Sequence, residues 1–344
     1  MKIVFNAMYC GLGNNGGTQT IIQSANTLKK LGHDVAIVDS MRNQYSWGPT
    51  EVDHYIIYKN QDFKKEKIFK KISSDIIIGT GIKTLESTAI FPAKKKFHWI
   101  RGWETWQISE KDMIKLFQFY KNKVIYLTNG IGIQKKLKKY GIDSHIQYAG
   151  LDNCNLGFTY GHNYTSKINE SFVIGGLIHP RHKTKNSDWL IKIHNYLKSL
   201  YDVELYTYGT NFFDARISSK HVHTVLPTQK QKLKIYRKID FWLSPSISEG
   251  FHIPPAEYML TGGVVVGIDT DLNGTKSYLK NKKTGYLVSG NWLDMANKII
   301  EIKNNHEELN ETGNNAKLCI QEEIGDRKYN MKKFINLMEN LKLK

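Results

Sequence analysis

Short apolar runs alternate with helical stretches twice along this chain, and that alternation admits few folds. Residues 2–7 read as a strand, and residues 18–31 as a helix with Ile21, Ile22, Ala25, Leu28 and Leu31 on one face. Gly32 stops it, and Val35 to Val38 form the next strand. A strand, a helix and a second strand in this order start a parallel sheet. Further apolar runs follow at Ile76 to Ile78, Phe97 to Ile100 and Val124 to Leu127. Residues 151–170 are polar and rich in Gly and Asn, which marks a linker. The alternation then restarts: strand Phe172 to Ile174, helix Ser187 to Leu200, strand Val203 to Tyr208, helix 229–238, strand Phe241 to Leu243, helix Pro255 to Leu260, strand Val264 to Ile268, helix 292–303. The pattern predicts an α/β protein of two Rossmann-like domains facing each other across a cleft. The 344 residues suit two domains at about 150 residues each. The expected division is 1–165 and 166–324, with a last helix at about 325–344 packing back on the first domain.

Composition removes several classes. With 40% hydrophobic and 24% charged residues the chain is globular, not disordered. Apolar runs such as Val264 to Val266 fall far short of the ~20 residues of a membrane span. The opening, Met1 to Asn6, turns polar too soon for a signal peptide and reads as a buried strand. Three widely spaced cysteines, Cys10, Cys154 and Cys319, form neither a metal pattern nor a disulfide framework, and predict a reducing cytoplasm. The net charge is +17, and residues 1–150 hold 23 Lys and Arg against 12 Asp and Glu. Such an excess attracts phosphate-bearing substrates, nucleic acid or an anionic membrane surface, or is a solvated lysine-rich exterior. The basic residues are scattered rather than set in a stripe, and no nucleic-acid-binding module is recognisable.

Gly11-Leu12-Gly13-Asn14-Asn15-Gly16 matches G-x-G-x-x-G, with Asp39 closing the following strand as in a dinucleotide site. In that fingerprint the first glycine directly follows the strand, whereas Met8-Tyr9-Cys10 intervene here. The physics transfers without the cofactor. Gly16-Gly17 lets a ligand approach the backbone, and a helix opening near Thr18 favours an anion. A loop that needs glycine only for a positive φ is the plain alternative.

The segment Phe241-Trp242-Leu243-Ser244-Pro245-Ser246-Ile247-Ser248-Glu249-Gly250-Phe251-His252-Ile253-Pro254-Pro255-Ala256-Glu257 carries the most information. A buried strand ends at Ser244, a loop holds Glu249 and Gly250, and two prolines open a helix. The N–H groups of Phe251 to Ile253 then form an anion seat, with Glu249 and Glu257 on its rim and Glu257 in the first helical turn. Amides for a phosphate and carboxylates for sugar hydroxyls suit one ligand bearing both. Taken singly, each glutamate could be a solvent residue or a dipole partner.

This segment resembles the Glu-x7-Glu motif of retaining family 4 glycosyltransferases of the GT-B fold. Tyr236, Asp240, Ser244-Pro245-Ser246, Gly262-Gly263-Val264-Val265-Val266 and Thr284-Gly285-Tyr286-Leu287-Val288 agree with its flanks, and Gly16-Gly17 and Gly150-Leu151-Asp152 with its first domain. The resemblance implies that Glu249 contacts the donor sugar near the reacting carbon, that Glu257 binds the nucleotide's ribose, and that Gly250, Phe251, His252 and Ile253 hold sugar and phosphate. It also implies Arg and Lys on the diphosphate. The slot after Gly176, commonly Arg, is Leu177, so the charge falls to Arg181 and to Lys185 of Lys185-Asn186, in a loop that also holds His179, His182 and Lys183. Ser277 stands where the family often has Glu. The family often places a His past a mid-domain strand. Here His98 lies in the strand, leaving Arg101, Trp103 or Glu104 at its tip. Arg101 is the candidate catalytic partner of Glu249, and Trp103 and Glu104 the acceptor side. The three tryptophans Trp99, Trp103 and Trp106 form either a sugar platform or plain core.

The expected activity is retaining transfer of a hexosyl or related group from a nucleoside diphosphate sugar, UDP being one such carrier, to an acceptor hydroxyl of a glycan or lipid-linked substrate. Bacterial envelope polysaccharide synthesis is the expected setting, at the inner face of an anionic membrane, with no metal, no cofactor and no nucleic-acid partner. The rivals are an NAD-dependent oxidoreductase and a GT-B sugar-nucleotide epimerase.

Overall fold

The computed structural model describes residues 1–152, 162–165, 168, 170–179, 182–210 and 220–341. It divides into two compact units: Met1–Gly150 with Arg327–Lys344, and Leu151–Asp326. The first division falls at Gly150, earlier than the expected 165. Leu151 pairs with Asp326, and its N–H donates to the Gly325 carbonyl at 3.2 Å, so both ends of the second unit are fastened together. Cys154 and much of the expected linker lie outside the described residues.

The first unit holds strands β1 (Lys2–Asn6), β2 (Asp34–Asp39), β3 (Asp53–Ile56), β4 (Ser74–Gly79), β5 (Ala93–Ile100), β6 (Ile125–Thr128) and β7 (His145–Ile146). They form one parallel sheet in the order β3-β2-β1-β4-β5-β6-β7. Alternation along each strand feeds both faces. Ile3, Phe5, Ile37, Ile76, Ile78 and Trp99 pack on one side against Ile21, Ile22, Ala25 and Leu28 of helix Gly16–Lys30, and against Met331, Phe334 and Met338 of helix Arg327–Asn340. Val4, Ala36, Val38 and Ile77 line the other side with Phe63, Ile72 and Phe91. The C-terminal helix is held polarly too: the Arg327 guanidinium donates to Ser24 Oγ at 3.1 Å, and Gln147 Nε2 to the Asn330 carbonyl at 3.1 Å.

The second unit holds β8 (Ser171–Ile178), β9 (Asp202–Gly209), β10 (His221–Val225), β11 (Phe241–Ser244), β12 (Val264–Ile268) and β13 (Tyr286–Val288), all parallel, in the order β10-β9-β8-β11-β12-β13. Ile174, Leu205, Leu243 and Val266 meet Leu190, Ile193 and Leu197 of helix Ser187–Lys198, and Met295 and Ile299 of helix Trp292–Ile302. Strands β3, β7 and β10 lie outside the apolar runs because they sit at sheet edges, where half the side chains meet solvent. Among the described residues no helix is long and apolar enough to cross a membrane.

Candidate functional site

In the second unit the chain runs from β8 outward through β9 and β10, then returns to the other side of β8 for β11, β12 and β13. Open α/β sheets bind ligands at such a reversal, outside the carboxyl ends of the strands. Here those ends are Ile178 and Ser244.

The loop after β8 makes a short 3-10 turn, Lys183–Lys185, closed by Asn186 in the left-handed region at φ 46°. Two bonds fasten this loop to the one after β11: Asn186 Nδ2 donates to the Pro245 carbonyl at 3.0 Å, and the Ile247 N–H to the Thr184 carbonyl at 2.9 Å. A third loop, after β12, braces them. The Glu249 N–H donates to the Leu272 carbonyl at 2.9 Å, and Thr270 Oγ1 to the Ile247 carbonyl at 2.7 Å. Gly274 must be glycine here, since a Cβ would stand 2.8 Å from the Gly250 carbonyl carbon.

This bracing brings Lys185 Nζ onto Glu249 Oε1. The Glu249 side chain is only 12% exposed. Burial alone would raise its pKa. The Lys185 charge, His252 and a hydrogen bond from Ser246 overcome that and hold it at about 2. His252 Nε2 lies 3.6 Å from the same carboxylate oxygen, and Nδ1 lies 3.0 Å from Ser244 Oγ. Burial pushes this imidazole down to about 4, so it is neutral at physiological pH. Its backbone sits at φ 60°, a left-handed conformation costing a non-glycine residue about 1–2 kcal/mol. The Tyr278 hydroxyl secures it by donating to the His252 carbonyl at 2.6 Å.

Glu257 is placed differently from the expectation. Helix Ile253–Met259 begins before the prolines, so Glu257 falls in its second turn. Its side chain is 5% exposed rather than on an open rim. Lys232 Nζ donates to its two oxygens at 2.8 and 2.7 Å, and the Tyr236 hydroxyl donates at 2.9 Å. Tyr208 Oη joins at 2.7 Å from Tyr236 Oη, and burial and the Glu257 charge push both phenols up. Gly176 does not end β8, and Leu177 is a strand residue. Arg181 lies outside the described residues.

In the first unit, Arg101 follows β5 and donates to the carbonyls of Gly17 and Thr80, tying the glycine loop to the end of β4. Glu104 Oε2 accepts from the Ile82 N–H at 2.9 Å, and burial raises its carboxyl despite that bond and the nearby Arg101 charge. Neither Gly16 nor Gly17 has a positive φ, so that reason for glycine drops away. A Cβ on Gly17 would crowd Arg101, and one on Gly16 would meet nothing. Trp103 corrects the platform reading: it is 2% exposed, with its N–H 3.2 Å from Glu110 Oε2 and Lys136 over its ring. Trp99 is wholly buried, and Trp106 is exposed. His98 is a core residue of β5, its imidazole pushed down to about 3 by burial. Among the described residues no group of three His, Cys, Asp or Glu is arranged to hold a metal.

Residues 179–318 match the family described as glycosyl transferases group 1, a span that contains every residue of the Lys185–Glu249–His252 cluster. No curated protein matches the chain. Among solved structures, HepE from Anabaena in complex with UDP and glucose superposes with a TM-score of 0.75, at 14% identity, over 99% of this chain and 100% of that one. Sucrose-phosphate synthase from Thermosynechococcus elongatus gives 0.72 at 12% identity over 98% of both chains. The apo form of the lipopolysaccharide outer core galactosyltransferase WaaB gives 0.70 at 15% identity over 99% and 100%. The fold is GT-B.

Within the second GT-B unit the structure therefore gathers Lys185, Glu249, Gly250 and His252, and sets Glu257 apart in a buried pair with Lys232. Within the first it gathers Arg101, Glu104 and Gly17 and sends Trp103 to the core. Sequence reasoning missed Lys232. The signal was available: it precedes Tyr236 by four residues on helix Gln229–Tyr236, so both reach the same side, that of Glu257.

Proposed function

We propose that this protein is a retaining glycosyltransferase that moves a sugar from a nucleoside diphosphate sugar to an acceptor hydroxyl. The observation that carries the reading is the Lys185–Glu249 pair at the reversal point of the second sheet. A cation braced by two loops is what a departing diphosphate needs, and an ionised buried carboxylate beside it is what a sugar gaining positive charge needs. In this reading the bond from the anomeric carbon to the diphosphate oxygen breaks while Lys185, with Arg181, takes up the leaving charge. Glu249 and the N–H groups from Gly250 to Ile253 hold the sugar. The acceptor oxygen bonds to the same face of the carbon, and its proton passes to the departing phosphate oxygen, which retains the anomeric configuration.

Glu257 takes the ribose hydroxyls once Lys232 releases it. In the first unit, Arg101 orders the glycine loop and Glu104 serves the acceptor. HepE was crystallised with UDP, and WaaB bears the name of an envelope-glycan transferase. These support UDP as the first nucleotide to try and a glycan or lipid-linked acceptor. The 23 basic against 12 acidic residues of the first 150 support contact with an anionic membrane at its cytoplasmic face. No metal and no nucleic acid enters the scheme. The test is a thermal-shift screen over nucleoside diphosphates and their sugars, followed by anomeric analysis of the product. Stabilisation by nicotinamide nucleotides alone, or conversion of the sugar nucleotide without acceptor, would replace this reading with a dehydrogenase or an epimerase.

A further inference from the structure

We infer that the His252 side chain positions the Glu249 carboxylate by donating from Nε2, and that this contact, beside the Ser246 hydrogen bond, takes the place of Lys185 when a diphosphate engages that lysine. The second half rests on the transferase reading; the first does not.

The ring is confined. Its side chain is 4% exposed, Ser244 Oγ stands at one nitrogen and Glu249 at the other. Nε2 is buried without a hydrogen-bond partner. A lone pair there would face an ionised carboxylate oxygen 3.6 Å away and be repelled, whereas an N–H is attracted. The Ser244 hydroxyl is able to donate to Nδ1, and Ser244 is wholly buried on the last residue of β11, so it fixes the ring from a rigid element. The carboxylate facing Nε2 selects the tautomer with its proton there, and the Ser244 hydroxyl, which can donate or accept, is compatible with it.

A buried donor held just beyond bonding distance is explained by a contact that tightens in another state. Lys185 is the cation on Glu249 in the ligand-free protein and the cation proposed for the diphosphate. As it turns to the phosphate, Glu249 loses its strongest partner while still buried. Moving about 0.7 Å brings Nε2 to an ordinary N–H···O distance of roughly 2.9 Å. The carboxylate then stays ionised and aimed. The backbone gives independent support: position 252 is left-handed, where glycine is the relaxed residue, so the ring is kept against local preference. Strain retained at a site is a pointer to function.

The test has two arms. Nitrogen-15 spectra of the histidines in the full chain, with His252 assigned by its loss in His252→Gly, are expected to show the Nε2–H tautomer at neutral pH. The Nδ1–H tautomer overturns the inference whatever the enzyme does. In the second arm, His252→Gly relaxes the backbone and removes the ring, and the variant is expected to stay folded. Its affinity for a bare nucleoside diphosphate should stay within about 2-fold, while turnover falls roughly 10-fold or more, the scale of a displaced reacting group. Free imidazole should restore part of that turnover. His252→Asn, which tolerates the left-handed conformation, should fall between. A His252→Gly variant as fast as the parent, or one losing affinity and turnover in equal proportion without imidazole rescue, refutes the positioning role. If the unaltered protein transfers sugar from no nucleoside diphosphate sugar, the transferase reading fails and the tautomer still decides the His252–Glu249 contact.

Discussion

Lys185→Met keeps the aliphatic stem and removes the charge, which isolates what the ion pair does. Glu249 sits at about 2 against an ordinary 4.5. At about 1.36 kcal/mol per pH unit, its preference for the charged form in the folded state is worth about 3 kcal/mol at neutral pH. Because the folded value lies below the unfolded one, this stabilisation is complete above about pH 4.5 and drains away as the pH falls through about 2. Without Lys185 the balance reverses. Burial, the largest single influence on this carboxyl, is then opposed only by a neutral imidazole and Ser246. The folded value climbs above the unfolded one, and the variant loses stability as the pH rises from about 5 to 7, where the parent's Glu249 contribution is flat. The expected cost at pH 7 is therefore more than about 3 kcal/mol, within the roughly 3–5 kcal/mol that breaking a buried pair costs.

Urea unfolding of the parent, Lys185→Met, Glu249→Gln and the double variant, at about pH 5 and pH 7, checks this. The double variant should recover part of the loss, since no buried charge is left alone. A Lys185→Met cost below about 1 kcal/mol, or a pH dependence equal to the parent's, would refute the reasoning. A carbon-13 titration of the Glu249 carboxyl gives the same answer without unfolding.

Three further outcomes are expected. Glu249→Gln should lower turnover roughly 10²-fold, the scale of losing one preorganised electrostatic group, while leaving nucleoside diphosphate affinity unchanged; Glu257→Gln should weaken that affinity by about 1.5–3 kcal/mol, and identical behaviour of the two variants in turnover and calorimetry would show the roles to be misassigned. Nucleoside diphosphate binding measured by calorimetry should survive excess chelator, because Lys185 and the loop amides supply the counter-charge; abolition by chelator would overturn that. Co-sedimentation with anionic vesicles should exceed that with neutral ones and fade with salt, at roughly 1 kcal/mol per basic residue near the surface, and equal salt-independent association with both would count against a membrane-facing first unit.

How much was legible in the chain follows from the range of the forces involved. Strands β1, β2, β4, β11 and β12 are buried on both faces, so each carries a run of apolar residues that local reading finds. The loop from Ser244 to Pro255 is legible for a related reason: its prolines and glycines act on their own backbone. The tryptophans are not. Trp103 and Trp106 are three residues apart, yet one is 2% and the other 60% exposed, because helix Glu110–Tyr120 and Lys136 cover only the first. The domain boundary was misplaced for the same reason, since a polar composition marks residues 151–170 while the bond from Leu151 to Gly325 joins residues far apart in sequence.

The two glutamates show where local reading stops. Both follow the same strand, five and thirteen residues after Ser244, and by composition they are equivalent carboxylates beside an amide-rich turn. What separates them is the partner each finds at a distance. Glu249 meets Lys185 because the loops after β8 and β11 are laced together by Asn186 and Ile247, and that places the ion pair at the sheet's reversal point. Glu257 meets Lys232 and Tyr236, from the helix that precedes β11, and that closes it in. In the proposed reading a ligand at the reversal point reaches Glu249 by displacing one ammonium braced by short loops. In the same reading it reaches Glu257 by drawing Lys232 off two oxygens at once. The spacing of the glutamates, in that reading, places two acids near one ligand. Substituting Lys232 by Met should therefore leave Glu257 buried without its cation, costing several kcal/mol of the kind expected for a broken buried pair. Nucleoside diphosphate should recover part of that stability, because its ribose hydroxyls would supply the missing donors. A Lys232→Met variant that is destabilised but gains no more from nucleotide than the parent does would show that Glu257 never reaches the ligand.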